Sequence, residues 1–244
     1  MALEMTAGGP LKATLVALCL MTAWSGSAAG EDLDALVDRI IVAYGGEAAL
    51  SRTVVERQTG RTVSARRGGA TGTLVRTFQG AEKLRVEIAY PDEEAEIRVL
   101  DGEKGWQAGQ EVAGPMHGAM RLQAARLALP LILLEQKSKL SDRGMATGPN
   151  DSQLRVLQLP LDAQTVLLVG VDPDSGHIVA SRGIIYLDQH QGMEFATAYG
   201  DFKEFGGRLI AGKEELYAMG QFTGTTYIDK VEILEAVEAG TFRP

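Results

Sequence analysis

The residues that most often carry out chemistry in proteins are sparse in this chain and do not cluster. It contains three histidines, His117, His177 and His190, and a single cysteine, Cys19. Metal sites need several such ligands at short, regular spacings, which these histidines lack. The GxSxG motif of serine hydrolases, the HExxH motif of zinc enzymes and the phosphate-binding GxxxxGKS/T motif are absent from the sequence. The sequence therefore predicts a protein that is not an enzyme, with no catalytic residue, no metal and no cofactor.

The segment DPDSG is the nearest approach to a metal-binding motif. Its residues Asp172, Asp174 and Gly176 resemble the start of a calcium loop. The later acidic residue that closes such a loop is missing. Because Asp, Pro, Ser and Gly also favour tight turns, we predict a hairpin turn here.

The first 29 residues have the layout of a secretory signal peptide. Lys12 precedes the apolar run Ala13–Trp24, and small residues follow the run. The run is shorter than the about 20 apolar residues that a membrane-spanning helix needs. Cys19 lies inside the run rather than at its end, so we interpret it as part of this segment and not as a lipidation site. We expect a signal peptide at 1–29 and a single periplasmic domain at 30–244.

Composition limits the class of partner. The chain is 45% hydrophobic and contains 29 glycines, which is typical of a globular fold with many turns. Its formal net charge is -8. An acidic chain is a poor match for nucleic acid, whose phosphates require lysine and arginine. It is equally unsuited to electrostatic attachment to anionic lipid. We expect a monomer with no nucleic-acid partner.

The hydrophobic pattern predicts a helix followed by antiparallel strands. Asp32 can cap a helix whose apolar residues recur at helical spacing up to Tyr44. From there the period changes to two. In Lys83–Tyr90, apolar residues alternate with charged ones. This one-sided pattern favours an antiparallel sheet with one face covered.

An apolar helical segment at 115–140 separates two groups of strands. Met116, Met120 and Leu127 follow helical spacing, and Pro130 predicts the start of a second helix. The segment is too short to span a bilayer.

The rest of the chain is predicted to be a polar loop at 141–153 and then a second group of strands. These strands are expected at 154–161, 165–171, 177–187, 193–202, 208–219 and 225–236. No helix separates them, which excludes the βαβ units of a parallel sheet. The expected fold is α+β and mainly antiparallel β: an unclosed half β-barrel with helices covering its concave face. The helices at about 115–140 would form a lid.

One block of residues carries a family resemblance. Tyr90–Trp106, YPDEEAEIRVLDGEKGW, has a Pro-Asp turn, a strand, an Asp-Gly turn and a tryptophan. With the preceding EKLRVEI, the early IIVAYGGEAAL and the late YGDFKEFGGRLI, it resembles the LolA/LolB group of periplasmic lipoprotein carriers and their outer-membrane lipoprotein-sorting relatives. The carriers have an Arg-Pro before the corresponding strand. Here that stretch is FQGAEKL, and Arg76 is the nearest arginine.

The resemblance implies a periplasmic carrier that shields the acyl chains of lipids or lipoproteins in an apolar cavity. It implies a role in lipoprotein sorting, or a paralogous lipid-binding role, with an inner- or outer-membrane protein as a further partner. The alternative is a non-enzymatic regulatory or structural module that senses lipidated or envelope proteins. The candidate cavity residues are Leu74, Phe78, Leu84, Val86, Ile88, Tyr90, Trp106, Met116, Met120 and Leu127, with Arg76 as a candidate polar contact.

Overall fold

The computed structural model describes residues 32–51, 55–188 and 191–244. The predicted signal peptide, Cys19 and His190 lie outside the described residues. Within the described ranges the helices are Leu33–Ala43 (α1), Glu47–Ser51 (α2), Gly114–Leu127 (α3) and Leu131–Glu135 (α4). None of these helices has the length and apolar character needed to cross a membrane.

Thirteen strands form one sheet. They are Val55–Ser64 (β1), Ala70–Gln79 (β2), Lys83–Ala89 (β3), Glu96–Asp101 (β4), Lys104–Gln107 (β5), Gln110–Val112 (β6), Ser141–Thr147 (β7), Gln153–Pro160 (β8), Thr165–Val171 (β9), Ile178–Tyr186 (β10), Gly192–Phe205 (β11), Arg208–Ala218 (β12) and Gln221–Leu234 (β13). The order is β6-β5-β4-β3-β2-β1-β13-β12-β11-β10-β9-β8-β7, so β6 and β7 are the two edges. All pairs are antiparallel, as predicted.

The sheet curves around helix α3 without closing. Helix α3 packs against β3, β4 and β5 and also against β9 and β10. Six strands lie between β4 and β10 in the sheet order. One helix can contact both groups only if the sheet bends around it. The predicted half-barrel with helices over its concave face is therefore confirmed.

The predicted first helix is present and packs its apolar stripe into the core. The carboxylate of Asp32 accepts the backbone N–H of Asp34 at 3.3 Å and caps the helix. Val37 and Ile40 are fully buried. Gly45 follows the helix at a φ of +103°, and a Cβ there would lie 2.1 Å from the carbonyl oxygen of Gly207. Glycine is required at this position by both its conformation and the close approach of the backbone.

Strand β3 has the two faces that its sequence predicts. Leu84 and Val86 are fully buried under α3. On the opposite face, Arg85 donates to the carbonyl oxygen of Arg243 at 3.3 Å. The C-terminal segment therefore crosses the outer face of the sheet, where the ring of Phe242 is buried.

The prediction of a loop at 141–153 was wrong for its first half. Residues Ser141–Thr147 form β7, which pairs with β8 as an edge strand. Asp142 binds Arg155 across the pair, and Gly144, at a φ of +79°, lies in an irregularity between the two paired segments. An edge strand that is exposed on both faces has no apolar alternation, which removes the signal on which the sequence prediction depends.

The predicted turn at DPDSG is confirmed. The Asp172 carboxylate accepts the backbone N–H groups of Ser175 at 3.1 Å and Asp174 at 2.9 Å. These hydrogen bonds, from Ser175 foremost, lower the pKa of Asp172. The carboxylate is thus engaged by its own turn.

Candidate functional site

A cavity of about 370 Å³ lies between helix α3 and the concave face of the sheet. Ligand sites in proteins occupy about 300–1,000 Å³, so this space is at the lower end of that range. Its apolar wall includes Ile88, Leu122, Leu127, Phe195 and Leu216. Its polar wall includes Thr62, Arg66, Arg76, Tyr90, Glu96, Arg98, Arg126, Tyr199, Glu214 and Tyr217. The space is amphipathic rather than uniformly apolar.

Arg76 is the centre of the polar wall. It alternates along β2 with Leu74 and Phe78, which are buried on the same concave face. Its two Nη atoms donate to the Glu214 carboxylate at 2.9 and 2.6 Å. Its Nε donates to the Gln58 side chain at 2.6 Å. Burial lowers the pKa of Arg76, and the neighbouring Glu214 carboxylate raises it. The net result is a pKa above the ordinary arginine value.

A second buried ion pair extends this network across the sheet. Arg208 of β12 donates to the Glu56 carboxylate of β1, and Gln58 donates to the same carboxylate. Glu56 is fully buried. Side chains from β1, β2 and β12 are therefore joined by charge-assisted hydrogen bonds, which are stronger than neutral ones.

Two tyrosines lie near the main cavity: Tyr199 borders it, and Tyr44 directly follows helix α1. The Tyr44 hydroxyl accepts the backbone N–H of Ile178 at 3.1 Å, and the Tyr199 hydroxyl lies 2.8 Å from the Ser181 hydroxyl. Burial raises the pKa of both tyrosines. Both rings therefore stay uncharged at neutral pH. They also line a smaller space of about 50 Å³ beside the main cavity.

Arg98 and Arg126 are less completely paired than Arg76. Arg126, on α3, donates through Nη2 to the backbone carbonyl of Phe195. The Nε atoms of Arg98 and Arg126 are buried without a hydrogen-bond partner. Burial lowers the pKa of both side chains. Since guanidinium groups stay protonated in proteins, these are half-buried positive charges at the cavity.

The predicted cavity residues fall into three groups. Arg76, Ile88, Tyr90 and Leu127 border the cavity. The residues Leu74, Phe78, Leu84, Val86 and Met120 are packed together in a buried cluster between the sheet and α3. The structure places Trp106 and Met116 elsewhere.

Trp106 lies on the outer face of the sheet. Its neighbour Gly105 faces α3, since a Cβ there would lie 3.1 Å from His117 and 3.2 Å from Met120. Adjacent residues of a strand point to opposite faces, so Trp106 points away from α3. Met116, near the start of α3, is 40% exposed.

Histidines do not assemble a metal site in the part of the chain that the structure describes. The ring of His177 packs on that of Phe202, with centroids 4.9 Å apart. His117 lies on α3 beside Gly105. No group of three or more His, Cys, Asp or Glu residues that could hold a metal occurs among the described residues.

Sequence analysis did not single out Glu56, Arg98, Arg126, Arg208 and Glu214 as site residues. A signal was present for two of them. Arg98 shares a strand face with Leu100, and Glu214 shares one with Leu216. A charge on the apolar face of a strand indicates a buried polar contact. The partner of Glu214 is Arg76, on a strand distant in sequence, so the sequence did not identify the pair.

Known proteins resemble this chain in fold and not in sequence. No family model and no curated protein sequence matches the chain. Among solved structures, a LolA superfamily protein from Nitrosomonas europaea is 11% identical with a TM-score of 0.55, covering 85% of this chain and 96% of that chain. A domain named for outer-membrane lipoprotein sorting, from Vibrio parahaemolyticus, is 8% identical with a TM-score of 0.52, covering 86% and 97%.

A third similar structure is a DUF1329 family protein from Desulfovibrio piger. It is 8% identical with a TM-score of 0.50, covering 88% of this chain and 98% of that chain. At such identities the similarity concerns the path of the backbone and not the residues of the site. The chain has the LolA-like fold, an open antiparallel half-barrel with helices over its concave face.

Proposed function

We propose that this protein is a non-enzymatic periplasmic carrier that shields the acyl chains of lipids or lipoproteins beneath helix α3, which we call the lid. The observation that carries the proposal is the cavity of about 370 Å³ between the lid and the concave face of the sheet. The fold shared with a LolA superfamily protein and a lipoprotein-sorting domain supports it. The signal-peptide layout of residues 1–29 supports the periplasmic location.

The energetics of acyl chains explain why such a protein is needed. Each methylene removed from water contributes about 0.8 kcal/mol, so a long chain in water is disfavoured by roughly 10 kcal/mol. Ile88, Leu122 and Leu127 offer apolar surface from both the sheet and the lid. The space between them is small for a long chain, so the proposal requires the lid to move outward when a ligand enters.

The contacts of helix α3 are compatible with such a movement. The hydrogen bond from Arg126 of the helix to the carbonyl of Phe195 on the sheet can be replaced by water on opening. Arg121 of the helix also forms an ion pair with Asp162, with Nη1 and Oδ2 3.2 Å apart, and this pair must open as well. Other contacts are close and apolar, through side chains such as Leu122. At Gly183 the helix approaches so closely that a Cβ would lie 2.1 Å from Leu122. Apolar contacts of this kind can be exchanged for contacts with an acyl chain.

Native mass spectrometry of the protein, isolated from periplasm without detergent, tests the proposal directly. We expect additional mass that solvent extraction removes, and uptake of a fluorescent fatty acid by the extracted protein. A protein without bound mass that also takes up no fatty acid would contradict the carrier function.

Substitution of Ile88 by aspartate tests whether the cavity is the binding site. Ile88→Asp places a charge where an acyl chain would lie, and we expect at least a tenfold loss of fatty-acid affinity. Ile233→Asp is the matched control, because Ile233 lies on a strand of the same sheet and is 45% exposed. Unchanged uptake by folded Ile88→Asp would exclude this cavity as the site.

A further inference from the structure

Two half-buried arginines of the main cavity have buried Nε atoms that make no hydrogen bond. The Nε atoms of both Arg98 and Arg126 lack a partner. Within the described ranges, the side chain of Arg98 makes no hydrogen bond or ion pair. Buried polar groups in native proteins are nearly always satisfied, so each exception requires an explanation. A guanidinium ion without a carboxylate is an especially costly exception.

The carboxylates near these arginines are already engaged. Arg66, Arg76, Arg98 and Arg126 line the cavity, against Glu96 and Glu214. Glu214 is bound by both Nη atoms of Arg76, and Glu96 is bound by Arg67.

The cavity thus has an excess of positive charge in a chain whose formal net charge is -8. An acidic protein that keeps an excess of arginine in a cavity of about 370 Å³ has local complementarity to an anion there.

The two arginines approach the cavity from opposite walls. Arg98 is on β4, where it shares the concave face with Leu100, and Arg126 is on α3. The same cavity is lined by apolar side chains, Ile88 on the sheet and Leu122 and Leu127 on the helix. Charged donors therefore lie beside surface that suits a hydrocarbon chain, which is the arrangement that an amphiphile requires.

We propose that Arg98 and Arg126 bind the anionic headgroup, a carboxylate or a phosphate, of an amphiphile whose hydrocarbon chain lies along Ile88, Leu122 and Leu127. This inference rests on the proposed carrier function and adds the chemical class of its ligand. The planar guanidinium group presents paired N–H donors that match the oxygens of both anions. A headgroup held in this way joins the sheet to the lid, so the lid closes over bound ligand.

Isothermal titration of the purified protein with four probes tests the inference. The probes are dodecyl phosphate, dodecanoate, uncharged dodecanol and inorganic phosphate, each below its micelle concentration where it has one. We expect dodecyl phosphate or dodecanoate to bind about tenfold or more tightly than dodecanol. The tighter of the two anions identifies the headgroup as phosphate or carboxylate.

Variants locate the headgroup. Arg98→Gln and Arg126→Gln should each abolish most of the preference for the anion and leave dodecanol affinity unchanged. Arg61→Gln is the control, because Arg61 is exposed and its side chain pairs with Asp229. Arg98→Met adds a second measurement. Removal of an unpaired, half-buried charge should leave the thermal midpoint of the ligand-free protein unchanged or raised, whereas a lower midpoint would mark Arg98 as structural and overturn the inference.

The remaining outcomes separate the inference from the carrier function. Equal affinities for dodecanol and both anions, or an anion preference that survives in both Gln variants, would overturn the headgroup site and leave the carrier function standing. Binding of inorganic phosphate as tightly as dodecyl phosphate, with no binding of dodecanol, would support the anion site and overturn the carrier function. Binding of none of the four probes would overturn both.

Discussion

The concave face of the sheet has two regions that differ in polarity. Strands β8, β9 and β10 present apolar side chains such as Leu157, Leu167 and Val169, all fully buried, to helices α1 and α4. Strands β1, β2 and β12 instead present buried charges, of which Arg76 and Glu214 form the central pair. We refer to these as the apolar region and the polar region.

The difference shows where the interior is filled and where it is open. In the apolar region, buried side chains of the helices and strands form one continuous hydrophobic cluster. In the polar region the main cavity remains. Guanidinium and carboxylate groups pack only in orientations that satisfy their hydrogen bonds, so they do not fill space as aliphatic groups do. The apolar region thus holds the fold together, and the polar region is available to a ligand.

The largest effect is expected from breaking the buried ion pair of the polar region. Glu214→Gln leaves the Arg76 guanidinium buried without its carboxylate, which should lower the free energy of unfolding by about 3–5 kcal/mol. Chemical denaturation measures the change.

A double substitution is the control for this prediction. Arg76→Met combined with Glu214→Leu removes both charges and should cost less than Glu214→Gln alone. A double variant that is less stable than Glu214→Gln would contradict the prediction. It would show that the ion pair stabilises the fold more than the uncharged pair that replaces it.

A smaller effect should distinguish filled from open space. Leu157→Ala, in the apolar region, should cost about 2–5 kcal/mol because it leaves a cavity in a packed core. Ile88→Ala, at the border of the main cavity, should cost only about 1–2 kcal/mol because its side chain is less completely surrounded. Thermal denaturation of both variants checks the order, and equal losses would contradict the contrast between the regions.

The smallest effect concerns an ion pair at the edge of the sheet, outside both regions. Burial raises the pKa of Asp142, whereas hydrogen bonds from Arg155 and Gly144 lower it. The hydrogen bonds outweigh burial, so the pKa of Asp142 lies below its ordinary value. The contribution of Asp142 to stability is therefore present above the ordinary aspartate pKa of 3.8 and is lost as the pH falls through the lowered value.

Asp142→Asn should accordingly lower stability at pH 7 by about 0.5–1 kcal/mol, and the difference from the unsubstituted protein should shrink in acid. Asp229→Asn is the matched control. It disrupts the ion pair between Asp229 and Arg61, and the Asp229 side chain is 57% exposed. Denaturation midpoints between pH 2 and 7 measure both, and a loss that persists at the acid end would show that Asp142 acts through packing and not charge.

Much of the fold could be predicted from local patterns. The helix after Asp32, the two faces of Lys83–Tyr90 and the turn at Asp172 each depend on residues close in sequence, and the structure confirms them. Strand β7 was missed because an edge strand exposed on both faces has no alternation. An element can be predicted when one of its faces is buried, because apolar residues then recur at regular spacing. Strand β7 has no such buried face, so it has no such spacing.

The candidate site was only partly predictable. Arg76 was found because it shares a face with Leu74 and Phe78 on one strand. Its partner Glu214 is 138 residues away, and no local pattern connects them. Trp106 was expected in the cavity, but it faces outward, because Gly105 occupies the concave side of β5.

By itself the sequence determined the antiparallel strands, the helices and the half-barrel, since each follows from the spacing of apolar residues along a short segment. Only the tertiary structure decided that the interior is divided into a filled apolar region and a charged cavity. That division depends on which side chains meet across strands remote in sequence. The Nε atoms of Arg98 and Arg126 are left without a partner because the carboxylates that line the cavity, Glu96 and Glu214, are bound by other arginines.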